Sequence, residues 1–455
     1  MVVAVVLALV FASSLVYRFM RASVAQPKIE SIAVLPFVNQ SGNADAEYLS
    51  DGMAETLISS LSQLSNLNVK ASSTVFRYKG SNADLRQIGR DLNVQAILNG
   101  RIVERGQDVS LYVELVDVAA DKVIWSQTYD RSMSNLVSLQ SEIARDVSNN
   151  LRTKLSGADE QHLTKNYTQN SEAYQLYLKG QYEWKKHTQE DLQKAIGYYN
   201  QAREVDPNYA LAYWGLSAAY GVLGNNYLPP NEAFPKARAY AAQALALDAS
   251  LPEAHSAMGA VKLFYDWDWV EAERELKRAQ ALDPKDAEAH HLYGDYLEVM
   301  DRLPEAQAER KLAQDLDPLS LIYSMAAGAT FYFARQEDEA IAQLGKTINL
   351  EPRFALTYLY LGQAYEQKKM YPQAVATLQE GMTHGERHPY LIAALGHAYA
   401  LAGERDKALK ALAELHQISE RRYVSPYLFA VIYAGLGDKD QAFACYILGP
   451  IYTDK

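Results

Sequence analysis

The chain has 455 residues, of which 49% are hydrophobic and 22% charged, an ordinary globular composition on a chain too long for one compact core. Its formal net charge is −11 with no basic tract, which argues against a nucleic-acid-binding surface. Cys445 is the single cysteine, so an intramolecular disulfide and a cysteine-based zinc site are excluded.

Residues 2–17 are almost entirely apolar and uncharged, and Phe19 and Met20 extend the run if Arg18 snorkels. That length predicts a membrane anchor through residues 2–20. A cleaved signal ending at Ser23-Val24-Ala25 is the rival, set back by an n-region without Lys or Arg. Arg18, Arg21 and Lys28 follow the run, and on the positive-inside rule they would keep the rest of the chain in the cytoplasm. A span beginning at Met1 also leads us to expect a missing upstream segment.

Residues 29–155 alternate strand and helix signals. Ile32-Ala33-Val34-Leu35-Pro36-Phe37 predicts a buried strand, ended by Pro36 and the polar Asn39-Gln40-Ser41-Gly42 loop. Residues 46–64 carry Leu49, Met53, Leu57, Ile58 and Leu61 on one helical face. A strand over 67–71, a helix over 84–92 and a strand over 94–103 follow. Arg105-Gly106-Gln107-Asp108 predicts a turn. Val109, Leu111, Val113 and Leu115 alternate with polar residues, as in a strand with one buried face. A strand over 123–129 contains Trp125, and a helix over 136–155 closes a β-α-β-α-β-β-β-α sandwich with a mixed sheet.

From residue 171 the chain repeats. Asp283-Pro284, Asp317-Pro318 and Glu351-Pro352 recur every 34 residues, as do Gly294, Gly328, Gly362, Gly396 and then Ala430. Alanines early in each second helix fall at Ala195, Ala237, Ala272, Ala306, Ala340, Ala374, Ala408 and Ala442, which defines eight units. A fixed period of this size means one helical hairpin copied and stacked into a solenoid. The small residues let the two helices approach, and the acid before proline ends the second one, because a residue before proline avoids the α region. An insertion around 224–230 breaks the period in the second unit, and Gly449-Pro450 ends the last helix early, so the carboxyl end reads as truncated or frame-shifted.

Tyr358-x2-Leu361-Gly362-x2-Tyr365 with Ala374 resembles the tetratricopeptide repeat, as does Leu395-Gly396-x2-Tyr399 with Ala408. Upstream, Ile32-Ala33-Val34-Leu35-Pro36-Phe37, Phe76-x-Tyr78-Lys79-Gly80, Ile88-Gly89-x2-Leu92-x-Val94, Glu114-Leu115-x-Asp117 and Trp125-Ser126-x2-Tyr129-Asp130-Arg131 resemble the TolB amino-terminal-like domain. Tyr265-Asp266-Trp267-Asp268-Trp269 is similar to a segment of membrane-regulator relatives. Bacterial proteins of this kind place that domain between a membrane span and the repeats, often behind a winged-helix, cyclase or kinase head, an output domain expected to be absent ahead of the span here. The resemblance implies a single-pass cell-membrane protein with its bulk extracytoplasmic, against the arginine argument. The expected fold is an α+β multidomain chain: an N-terminal membrane helix or signal segment (1–25), a small mixed α/β domain (29–156), an all-α tetratricopeptide solenoid (171–444) and an aberrant tail (445–455).

No catalytic motif is present: no G-x-S-x-G, P-loop or H-E-x-x-H occurs, and Gly435-x-Gly437 lacks a third glycine. His290 sits where the repeat wants an aromatic residue, so core packing outweighs metal ligation with His291. His384 and His388 flank a junction, and Asp266 and Asp268 read as helix-start carboxylates. The chain is expected to be non-enzymatic, without cofactor or metal. By phase, first helices turn Trp214, His291, Asp295, Glu298, Tyr332, Gln363, Glu366 and His397 toward the groove, where a protein or peptide partner would bind. With no groove lysine or asparagine at the key positions and with Asp295 and Glu298 present, an acidic tail should be refused and a neutral or basic, partly apolar segment preferred. The alternative function is the sensory part of a signalling or transcription-regulator protein without its output domain. The sequence sets no oligomeric state.

Overall fold

The computed structural model describes residues 29–451, except 82, 152–155, 158, 160–162, 164 and 385–387. Strands β1 (Ser31–Val34), β2 (Val38–Asn39), β3 (Asn68–Val69), β4 (Ala96–Arg105), β5 (Asp108–Asp117) and β6 (Lys122–Ser132) form one mixed sheet in the order β3-β1-β4-β5-β6, with β2 also on β4. β1 runs parallel to β3 and β4 with Ile32 opposite Ala96, whereas β4, β5 and β6 are antiparallel with Leu98 opposite Leu115. The β4–β5 hairpin turns at Gly106, whose φ of 63° is open to glycine at no steric cost.

Helix α1 (Glu47–Ser62) buries Leu49, Met53, Leu57 and Leu61 completely against this sheet, as its spacing predicts. Val109, Leu111, Val113 and Leu115 of β5 join the same core, closed by α4 (Leu136–Asn150). Between them lie α2 (Ser72–Phe76) and α3 (Leu85–Asp91). The short β2 and α2 have too few residues to show a period, and neither was expected from sequence.

The rest of the described chain is helical. The pairs are α5 (Ser171–Trp184) with α6 (Gln189–Val205), α7 (Ala210–Asn226) with α8 (Pro230–Leu247), and α9 (Pro252–Val261) with α10 (Trp269–Leu282). Then come α11 (Ala287–Val299) with α12 (Leu303–Leu316), α13 (Leu321–Phe333) with α14 (Glu337–Leu350), and α15 (Ala355–Gln367) with α16 (Tyr371–His384). The last are α17 (Pro389–Leu401) with α18 (Arg405–Ser419) and α19 (Pro426–Gly435) with α20 (Lys439–Ile451).

Each pair closes by a notch. A Cβ placed on Gly259, Gly328 or Gly362 would lie 2.6 Å from Leu276, Leu344 or Leu378 of the facing helix, so only glycine admits these leucines. The alanines from Ala195 to Ala408 are fully buried beside them. Second helices stop where Asp206, Asp248, Asp283, Asp317 and Glu351 turn extended, with φ from −134° to −150°. First helices stop at a left-handed residue that also keeps the period: Trp267, Asp301, Arg335, Lys369, Gly403 and Gly437.

No helix among the described residues is long and apolar enough to cross a membrane. That finding corrects the expected single-pass placement with an extracytoplasmic bulk. The segment that carried the expectation, residues 2–20, lies outside the described residues, as does the end of the expected aberrant tail, 452–455.

Candidate functional site

The junction acids hold the small domain along one edge of the solenoid. Asp317 accepts from Ser73 and Thr74 of α2, Asp248 pairs with Lys165 at 2.7 Å, and Asp206 accepts from Thr168 at 2.5 Å. Beside Asp283, the Lys285 Nζ donates to the carbonyls of Ser62, Leu64 and Leu67 at 3.3, 2.8 and 3.1 Å, at and just beyond the end of α1. Asp317 and Lys285 thus anchor the domain at two junctions, and Asp206 and Asp248 hold the segment that links it to the repeats.

Helix α1 packs on the first helix of the first unit. Leu178 of α5 packs onto Gly52, where a Cβ would come within 2.9 Å, and the Tyr174 hydroxyl donates to Thr56 at 3.1 Å. Between α1, α5, α7 and α9 remains a cavity of about 230 Å³, lined in part by Trp214, Tyr177 and Glu253. Burial lifts the Glu253 carboxyl to about 7, and its Oε2 has no hydrogen-bond partner. Trp214, expected to face a partner, instead faces the chain's own α1 and stands 6.3 Å from Trp184.

His291, Asp295 and Glu298 come together one unit further on, around a residue that phase alone did not flag. Arg310 occupies the position of the notch leucine in α12 and is 2% exposed. It donates to Asp295 at 2.5 Å, to Glu298 at 3.0 Å, to the His291 carbonyl at 2.6 Å and to the His291 ring. Thr330 donates to the same Glu298 oxygen. Burial pushes His291 down to about 4, so its ring is neutral and can accept from the guanidinium. Burial likewise raises Glu298 against the pull of Arg310. Arg310 thus offsets part of the carboxylate charge by which Asp295 and Glu298 were expected to refuse an acidic tail. The signal was in the sequence, where Leu276, Leu344 and Leu378 set the position and Arg310 departs from it.

The remaining four candidates meet in one place. Tyr332, Gln363, Glu366 and His397 line a cavity of about 860 Å³ formed by α13, α15, α17, α19 and α20. Leu359, Ala393, Tyr427 and Val431, which hold the same helical phase, line it too. Tyr390, Phe443 and Tyr446 complete an aromatic wall, and exposed Lys439 stands at its rim. The Glu366 side chain is only 9% exposed, its Oε2 meets His397 Nδ1 at 3.0 Å, and its Oε1 has no hydrogen-bond partner. The Tyr390 hydroxyl reaches back to the Asn225 carbonyl at 3.4 Å, so the insertion of the second unit bridges to the seventh.

Other polar motifs have structural partners. His290 is buried and bound to Glu309, Gln280 and the Pro284 carbonyl, and His388 caps α17. Asp268 caps α10, whereas Asp266 pairs with Arg238 and Lys262 rather than starting a helix. No group of three or more His, Cys, Asp or Glu that could hold a metal ion occurs among the described residues.

Fold and site define a tetratricopeptide-type solenoid wrapped onto a small α/β domain. Comparison with known proteins agrees with the regulator-like resemblance. A family model described as the second domain of HilA/YgeH-like transcriptional regulators matches residues 28–146, where the sequence resembles a TolB-like domain; the match does not confirm that resemblance. A putative adenylate cyclase 3 of Rhizobium meliloti is 30% identical over 233 residues, 50% of this chain and 39% of that protein. The transcriptional regulator HilA of Salmonella typhimurium is 22% identical over 298 residues, 64% of this chain and 52% of that protein. The matches thus span about half or less of those relatives. A solved tetratricopeptide repeat protein from Parabacteroides merdae covers 59% of this chain and 100% of its own at 14% identity, with a TM-score of 0.43.

Proposed function

We propose that the chain is a protein-interaction scaffold whose carboxyl-terminal groove takes an extended segment of a partner protein, neutral or basic and partly apolar. The observation that carries this reading is the cavity of about 860 Å³, walled by tyrosines and aliphatic residues and holding one buried carboxylate. Aromatic walls provide contact area at low entropic cost, and Glu366 disfavours an acidic segment, whereas Asp295 and Glu298 are engaged by Arg310. Capture of partner peptides by the full chain tests it. Ala434→Trp, at an exposed lining position, should abolish capture with the fold intact; undiminished capture by that variant would place binding elsewhere.

A second reading, the regulatory part of a signalling or transcription-regulator protein, draws support from the family match over residues 28–146. Its partner would then be another component of that regulator. Transcript profiling of a strain deleted for this chain tests it, and an unchanged profile under every growth condition tried would sink it.

A further inference from the structure

From the groove geometry we infer a specificity-determining residue: Glu366 reads one cationic side chain, a lysine or arginine, in the bound segment. The inference rests on the groove reading above and names what the groove selects. Glu366 lies on the first helix of the sixth unit with its side chain nine-tenths buried. A buried carboxylate oxygen without a donor costs free energy until one arrives. One oxygen is already engaged by His397 at 3.0 Å, which fixes the rotamer and leaves Oε1 as the vacant acceptor. Lys439 lines the same cavity but is exposed at its mouth and makes no ion pair with Glu366 among those the structure shows. Tyr332, Tyr390 and Tyr427 surround the same space. Their rings favour an ammonium or guanidinium over a neutral polar group, since a cation near a ring face is attracted by its quadrupole.

Other glutamates on first helices show why this one is different: Glu253 also has an oxygen without a hydrogen-bond partner, but it lies in the small cavity beneath α1. Glu298 already holds Arg310, and Glu288 accepts from the Tyr323 hydroxyl at 3.0 Å. Neither lines the large cavity. The arrangement at Glu298 is an internal version of what Glu366 offers a partner: a carboxylate on a first helix, ready for a guanidinium, supplied there by the chain itself.

The test uses the full chain and a random heptapeptide library displayed on phage, panned on wild type, Glu366→Gln and Ala434→Trp. Wild type should enrich peptides with one Lys or Arg between apolar or aromatic residues. A selected peptide with its basic residue replaced by norleucine should bind roughly tenfold or more weakly, the size of a charge-assisted hydrogen bond. Glu366→Gln keeps the side-chain volume and should bind both peptides alike. Equal preference for the basic peptide in wild type and Glu366→Gln would overturn the inference while leaving the groove reading standing. Peptides selected equally by Ala434→Trp would overturn the groove reading, and the inference with it.

Discussion

The two halves of the solenoid are built from the same hairpin yet end in opposite states. In the first three units, α1 packs on the first helix of the array and encloses with the next two a cavity of about 230 Å³. In the last four, the same helical positions surround about 860 Å³ that no other element fills among the described residues. Between them, Arg310 closes the fourth unit with a charge where its neighbours use leucine. Repeat phase therefore tells which side chains face inward, but not whether a part of the same chain already occupies that space.

The largest expected effect breaks the boundary between the halves. Arg310→Ala leaves Asp295 and Glu298 buried without their cation and should cost about 3–5 kcal/mol. Urea unfolding of the full chain measures it, and a loss below about 1 kcal/mol would mean that water already screens the pair. Next, Gly362→Leu drives a side chain into Leu378 in the open half and should cost about 1–3 kcal/mol. An unchanged urea midpoint would show that the helix crossing gives way freely.

Loosening the closed half is a milder change. Lys285→Ala removes the donor to three carbonyls at the end of α1 and should cost about 1 kcal/mol, since the lysine stem is exposed. Hydrogen exchange should quicken at residues 62–70 and not at residues 389–435; equal quickening in both would mean that the two halves are not separately held.

The smallest effect is a pH dependence confined to the closed half. Glu253 has a folded value of about 7, above its unfolded value of about 4.5. The folded state therefore binds the extra proton, so this stability is full below the unfolded value and lost as pH rises through 7. Glu253→Gln should flatten the fall of the melting temperature between pH 5 and pH 8, by about 1 kcal/mol or less at this half-buried site. A slope unchanged by the substitution would assign the dependence to other groups.

Much of the architecture was legible in residue patterns. The alternation in β5, the stripe of α1 and the 34-residue spacing each report a buried face with a single period. The positions Leu359, Gln363, Ala393, His397, Tyr427 and Val431 follow from that spacing, and all six line the open cavity. Contacts between distant segments were not legible. Asp317 was read as a helix stop, and only the fold brings Ser73 and Thr74 to it across more than 240 residues. The insertion at 224–230 looked like an interruption, yet Asn225 receives Tyr390. Arg310 was legible as an exception at a leucine position, but its meaning needed the partners on α11 and Thr330 on α13.

The difference between the halves is tested most directly by photo-cross-linking. Benzoylphenylalanine is placed at position 214 in the closed half or at position 431 in the open half of the full chain, and a library-selected basic-aromatic peptide is added. The account predicts peptide cross-links from position 431 and, from position 214, cross-links only within the chain itself, among the residues that share its cavity. Peptide captured at position 214, or captured equally at both, would contradict it.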